Sequence, residues 1–330
     1  MAHSDFLKAM IRAHLDGEGG TFRQLALQVA AKEASAGHSR LAQEIRDLVD
    51  NAALTSGQQA GRVPPAIKTS IPRANVAELL HAFYPREHMT DMVLSSHTRE
   101  SLERAISECR NRGVLEAHGL QPRSKLLLVG PAGCGKTMSA RVLASELGCP
   151  LFEVKLEGLI SRFLGETSVH LKSIFDAMNH STGVYLFDEF DSIGTARGDH
   201  TDVGEIRRVL STFLILLESH RGPSLVLAAT NYDKSLDAAL FRRFDDVIDF
   251  PMPDRANIRL LLDLRLSHHE HEPMNLNAVA REAVGMSYAE VTKAILEAVK
   301  GTVLADNRVL PLDTLRKSIR SRKAMVPAKP

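Results

Sequence analysis

The chain lacks much of what marks several protein classes. It has no tryptophan, and only 5% of its 330 residues are aromatic. Its three cysteines, Cys109, Cys134 and Cys149, have no metal-ligand spacing. A sparse, odd count argues against a disulfide framework and suits a reducing, cytoplasmic setting. Charge nearly cancels: 41 Lys and Arg face 40 Asp and Glu, a net charge of +1. No global field therefore favours nucleic acid or an anionic membrane. No apolar run nears the roughly 20 residues needed to cross a bilayer. The opening "MAHSDFLKAM" has no basic stretch followed by an apolar one, so neither a membrane anchor nor a secretion signal is expected. Internal repeats and low-complexity tracts are absent too. What is left, 44% hydrophobic and 25% charged, is ordinary for a soluble globular protein of two or three domains.

Residues 1–54 read as short helices, with apolar residues at helical spacing in "FRQLALQVAAKEA" and "LAQEIRDLV". Six Lys or Arg and seven Asp or Glu precede Asn51. That balance weakens a DNA-binding reading and leaves a partner-docking or oligomerisation module as the expectation. Residues 55–83, with "TSGQQAGRVPPAIKTSIPR", are rich in Gly, Pro and small polar residues and read as a linker. From 84 to 252 a polar helix leads into five short apolar runs, "KLLLVG", "PLFEV", "GVYLFD", "SLVLAAT" and "DVIDFP", separated by helical stretches. Such alternation predicts an α/β fold of three layers, a parallel sheet with helices on both faces. From 253 to 330 the strands stop. Four helical segments and a basic tail ending "VPAKP" predict a small helical domain.

The segment "GPAGCGKT", Gly130 to Thr137, fits G-x-x-x-x-G-K-[ST] and lies between an apolar strand and a helix. The motif requires that context. Gly130, Gly133 and Gly135 let the backbone N–H groups of a loop that also holds Pro131, Ala132 and Cys134 turn towards phosphate oxygens. The positive end of the following helix adds to the attraction. Lys136 would reach the β- and γ-phosphates of ATP, and the Thr137 hydroxyl could bind Mg²⁺. Cys134 carries no necessary chemistry and reads as a packing thiol.

In "GVYLFDEFDSIG", Asp188 and Glu189 emerge together at the end of an apolar strand. Two adjacent acids there are costly unless a Mg²⁺–nucleotide complex compensates. Asp188 would then hold Mg²⁺ and Glu189 would act as general base on the attacking water. "LVLAATN" ends a third strand at Asn231. Ligands gather at the carboxyl ends of parallel strands, and an amide there can both donate and accept near the γ-phosphate.

These segments, with "LDAALFRRFDDVIDFPMPD", occur in the order and spacing of AAA-type ATPases. The resemblance covers roughly residues 92–304. The chain resembles the single-ring group related to microtubule-severing and membrane-remodelling ATPases, and bacterial stand-alone members most of all. It implies a P-loop NTPase domain with a helical lid, ATP and Mg²⁺ as ligands, and a homo-oligomer, a hexamer. It implies that Arg242 and Arg243 of "FRRFD" act in trans on a neighbour's ATP, and that "SRFLGET" is a pore loop. Phe163, flanked by Arg162 and Leu164, would then grip a polypeptide through apolar contact. "GMSYAEV", Gly285 to Val291, matches the start of the lid helix, with Tyr288 where the family often has Gly and Ala289 where many relatives carry an arginine. The adenine pocket is expected near Asp91 to Leu94. A separate subtilisin-like protease partner is a further implication.

"HHEHEP", from His268 to Pro273, is not H-E-x-x-H and reads as a solvated loop. The function expected is ATP-driven unfolding, threading or remodelling of a protein. A nucleic-acid-associated ATPase, a loader or transposition helper, is the alternative from another class, and a nucleotide-switched scaffold is the third.

Overall fold

The computed structural model describes residues 79–154, 167–179, 181–190, 200–231 and 241–325, with the helical backbone alone for 200–207. The helices expected in 1–54 and the pore-loop residues Arg162, Phe163 and Leu164 lie outside the described residues.

The strands are β1 (Leu80–Phe83), β2 (Lys125–Val129), β3 (Leu151–Val154), β4 (Val184–Phe187), β5 (Leu225–Thr230) and β6 (Asp246–Asp249). They form one sheet in the order β1-β3-β4-β5-β2-β6. The five runs read as strands pair in parallel, while β1 adds an antiparallel edge on β3. β1 falls in the stretch 55–83 that reads as linker. Its four residues, "LHAF", are too few to show a period, and only pairing with β3 makes them a strand.

Between the strands run α1 (Ser96–Arg110), α2 (Arg112–Ala117), α3 (Lys136–Glu146), α4 (Thr167–Met178) and α5 (His200–Ser219). The continuous apolar runs split by residue parity. Leu127 and Val129 of β2 join Tyr185, Phe187 and Ala228 beneath Ile174 of α4 and Phe213 of α5. Leu126 and Leu128 join Leu186, Leu227 and Ile248 beneath Leu102 of α1 and Leu143 of α3. Both faces of the sheet are thus covered, which is why its strands show no polar alternation. Thr98 of α1 donates its hydroxyl to Asp249 O (2.7 Å), tying that helix to β6.

The helical domain consists of α6 (Arg255–Leu266), α7 (Leu276–Ala283), α8 (Tyr288–Leu304) and α9 (Leu312–Met325). Asp254, Asn275 and Ser287 cap the first three of these through their side chains. Their apolar faces meet in one core that includes Leu262, Val279, Ile295 and Leu315. The stretch read as a solvated loop exposes His268 and His269, yet it is tied to the segment that opens α9. His271 bridges Leu310, and Glu272 accepts from the Leu312 N–H (2.9 Å) at the start of α9. Among the described residues no His, Cys, Asp or Glu cluster could hold a metal, and no helix is long and apolar enough to cross a membrane.

Candidate functional site

The loop from Gly130 to Gly135 joins β2 to α3, and its three glycines have positive φ: 152° at Gly130, 75° at Gly133 and 104° at Gly135. A side chain at Gly130 would set its Cβ 2.2 Å from the Phe250 carbonyl oxygen. Glycine is therefore required there by space as well as by φ. Lys136 opens α3 and is buried. Its ammonium donates to Gly130 O (2.6 Å), Pro131 O (3.0 Å) and Asn231 Oδ1 (3.0 Å). The Thr137 hydroxyl donates to Asp188 Oδ2 at 2.6 Å.

Three neighbouring strands deliver these groups. β2 and β5 pair Val129 with Thr230, and β4 and β5 pair Phe187 with Ala228. The loop, Asn231 and Asp188 thus leave the carboxyl edge of the sheet side by side. Glu189 is exposed and has φ 50°, a left-handed conformation that few non-glycine residues adopt. Its N–H donates to Asp188 Oδ1 at 2.8 Å. No local pattern in the sequence announces that turn. Lys136, Thr137, Asp188, Glu189 and Asn231 line one cavity of about 500 Å³.

The same cavity has an apolar end. Asp91, Met92 and Val93 line it, as do Leu261, Arg265 and Tyr288 of the helical domain. Leu94 is buried in the core behind. The Ala289 N–H donates to Gly133 O at 3.1 Å, and a Cβ on Gly133 would meet Ser287 Oγ at 2.7 Å. The start of α8 therefore rests directly on the glycine loop. Tyr288 packs against both the sheet core and the helical-domain core, and burial pushes its phenol up to about 12. The Cys134 thiol is buried and contacts Met252 Sδ at 3.7 Å. Only the backbone of Cys134 is suited to a ligand.

Arg242 and Arg243 lie elsewhere. They precede β6, which runs parallel to β2 with Val129 opposite Asp249. They therefore sit beyond the amino end of β6, with its length of roughly 10 Å between them and the edge that bears the glycine loop. Neither lines the cavity. The two nearby acids are committed to other partners: Asp245 accepts from the Ser124 and Lys125 N–H groups, and Asp246 pairs with Arg123. Arg243 pairs instead with Glu218 at the end of α5. Both arginines are exposed.

The donor set fits a nucleotide with a hard cation: a loop with three glycines at positive φ, a lysine at its end, and two oxygen ligands at the carboxylate and hydroxyl. Sequence spacing found this end. It missed Arg265, Lys293 and Leu261, which line the cavity from a separate, helical part of the chain.

Comparison with known proteins agrees. The family described as "ATPase family associated with various cellular activities (AAA)" matches residues 126–252. An uncharacterized AAA family ATPase, y4kL, of Sinorhizobium fredii is 33% identical over 307 residues, covering 92% of this chain and 90% of that protein. A proteasome-activating nucleotidase of Methanoculleus marisnigri is 31% identical over 61% of this chain and 50% of its own length. A katanin p60 ATPase-containing subunit A1 of Strongylocentrotus purpuratus is 33% identical over 54% of this chain and 37% of its own. The chain thus spans half or less of these last two but nearly the whole of the first. With that match lying over the glycine loop, the paired acids and the helical lid alike, this chain belongs to the AAA family of ATPases.

Proposed function

We propose that this protein is a Mg²⁺-dependent ATPase that assembles into a ring, a hexamer, and uses ATP hydrolysis to thread or remodel a protein partner. The observation that carries the hydrolysis is the convergence of Lys136, Thr137, Asp188, Glu189 and Asn231 on one cavity at three adjacent strand ends. Lys136 contacts the β- and γ-phosphates of the substrate. Thr137 and Asp188 would hold Mg²⁺, which supplies charge neutralisation between phosphate oxygens when bound. Glu189 takes a proton from the attacking water as the new P–O bond forms and the bond to ADP breaks, and Asn231 orients that water. Arg242 and Arg243 complete the site of a neighbouring copy. Their place beyond the far edge of their own sheet supports action in trans, because they cannot reach their own glycine loop.

The protein-directed part rests on the resemblance of "SRFLGET" to a pore loop and on relatives whose names include a proteasome-activating nucleotidase and a katanin subunit. Phe163, with Arg162 and Leu164, would grip the client, and a separate protease beside the ring would take what it unfolds. The test is affinity capture from cell extract with Glu189→Gln protein, with and without ATP. The expected result is a protein held only with ATP and released when Phe163→Ala is added. Capture of nucleic acid, insensitive to Phe163, would replace the threading reading with that of a nucleic-acid-associated ATPase.

A further inference from the structure

The last helix presents a basic face to solvent. Leu315 and Ile319 bury one side of α9 in the helical-domain core, and the Ser318 hydroxyl donates to Ala294 O at 2.8 Å. The helix is therefore held in place, and Lys317, Arg320, Ser321 and Ala324 are exposed on its other side. Asp313, Arg316, Lys317, Arg320 and Ser321 line one surface depression, and none of them lines the nucleotide cavity.

The acids within reach do not balance this charge. Three cations gather on Glu282 of α7. Arg320 Nε donates to Glu282 Oε2 at 3.0 Å, and the Lys323 ammonium donates to Glu282 O at 2.9 Å. Arg316 Nε lies 3.0 Å from Glu282 Oε1, though it is not aimed there as a hydrogen bond. One carboxylate neutralises one of the three. The Arg320 side chain is still 69% exposed, so most of its fork of donors faces water. Lys317 forms no hydrogen bond or ion pair among the described residues. Six of the chain's 41 Lys and Arg lie after Pro311, against one of its 40 Asp and Glu, so the rest of the chain is net negative by four.

That contrast selects among anionic partners. From Asp313 to Ser321 the helix rises about 12 Å, the reach of about four residues of extended peptide. Duplex DNA would lay about seven phosphates along that length, against Arg316, Lys317 and Arg320, and would continue past the patch onto a net negative molecule. No aromatic residue occurs after Pro311, so the bases of a single strand find nothing to stack on. A short run of carboxylates matches both the length and the charge.

We propose that this face of α9 docks a short acidic segment, a run of Asp and Glu, of a protein partner. The site holds its partner by charge and leaves hydrolysis to the cavity.

The test is fluorescence anisotropy of the full chain with two labelled probes: a Gly/Ser peptide bearing four consecutive glutamates, and a duplex DNA. The wild type is compared with Lys317→Glu, Arg320→Glu and with a control, Arg104→Glu, Lys172→Glu, which reverses two exposed cations elsewhere. The wild type should bind the peptide more tightly than the duplex, and less tightly as salt rises. Reversal on α9 should weaken the peptide about tenfold or more at low salt. The control should change little, and basal ATP turnover and oligomer size should match the wild type in both variants. No binding of the peptide, tighter binding of the duplex, or an equal loss in the control would each overturn the proposal. A change of oligomer size confined to the α9 variant would overturn it too, and would make this face a contact between copies of the chain. Lys317→Gln, Arg320→Gln is read by the same criteria if the reversed variant does not fold.

Discussion

At the carboxyl edge of the sheet, polar and charged side chains that follow three strands line one cavity, and Lys136 bonds to Asn231 and Thr137 to Asp188. At the amino edge the charged groups are spread along the surface: Arg123 with Asp246, Arg243 with Glu218, and Asp245 on the backbone of β2. The difference is one of convergence. Parallel strands of similar length bring their carboxyl ends into register, so the loops that follow them share a crevice. The amino ends receive helices from both faces and share none. Arg242 and Arg243, beyond the amino edge, do not line the cavity of their own chain. Under the proposed action in trans, the groups of a complete hydrolytic site would be divided between the two edges of one sheet.

Four changes would sharpen or break that contrast. Replacing Arg242 and Arg243 together by Ala should lower kcat by about 10³-fold or more, the scale of arginine fingers in phosphoryl transfer. ATP affinity should stay near that of the wild type, since neither residue lines its own cavity; a loss of affinity would place them at their own site. Glu189→Gln, at the other edge, should lower kcat by about 10²–10⁴-fold, again with ATP binding retained in a direct binding assay. Gly130→Ala should cost about 1–3 kcal/mol in denaturant unfolding, because its Cβ collides with the Phe250 carbonyl. Gly113 has open space around it, so Gly113→Ala should show no such loss.

The smallest effect belongs to the amino edge. His220, at the end of α5, is buried against Phe175. Its Nε2 has no partner among the described residues. Burial lowers its pKa, with Lys125, Arg112 and Arg221 acting in the same direction against a backbone hydrogen bond to Ser224. The folded imidazole stays neutral while the unfolded one takes up a proton below its ordinary pKa of about 6.5. Stability should therefore be unaffected above that pH and fall as the pH drops through it. Thermal midpoints measured from pH 7.5 to 5.5 should decline, and His220→Leu should flatten the decline.

How far each edge could be read from sequence follows the same contrast. The glycine loop, the paired acids and Asn231 each sit at the end of an apolar run, so spacing alone located them, and the five parallel strands were legible for the same reason. β1 was not, because "LHAF" is stabilised by its partner β3 rather than by a pattern of its own. The left-handed turn at Glu189 has no glycine to announce it. Arg265 and Tyr288 line the cavity because the start of α8 rests on the glycine loop and α6 packs against α8, a tertiary fact that no local spacing encodes. The stretch from His268 to Pro273 looked unstructured because its pairing with Leu310 and Leu312 spans about 40 residues of chain.

The division of the site between two edges is tested most directly by mixing two inactive proteins. One carries Arg242→Ala and Arg243→Ala, the other Glu189→Gln, and ATP turnover is measured across mixing ratios at fixed total concentration. The account predicts little turnover from either alone and a maximum at intermediate ratios, where some junctions join intact arginines to an intact glutamate. Turnover that never exceeds the weighted sum of the two, in a preparation shown to exchange subunits, would contradict it.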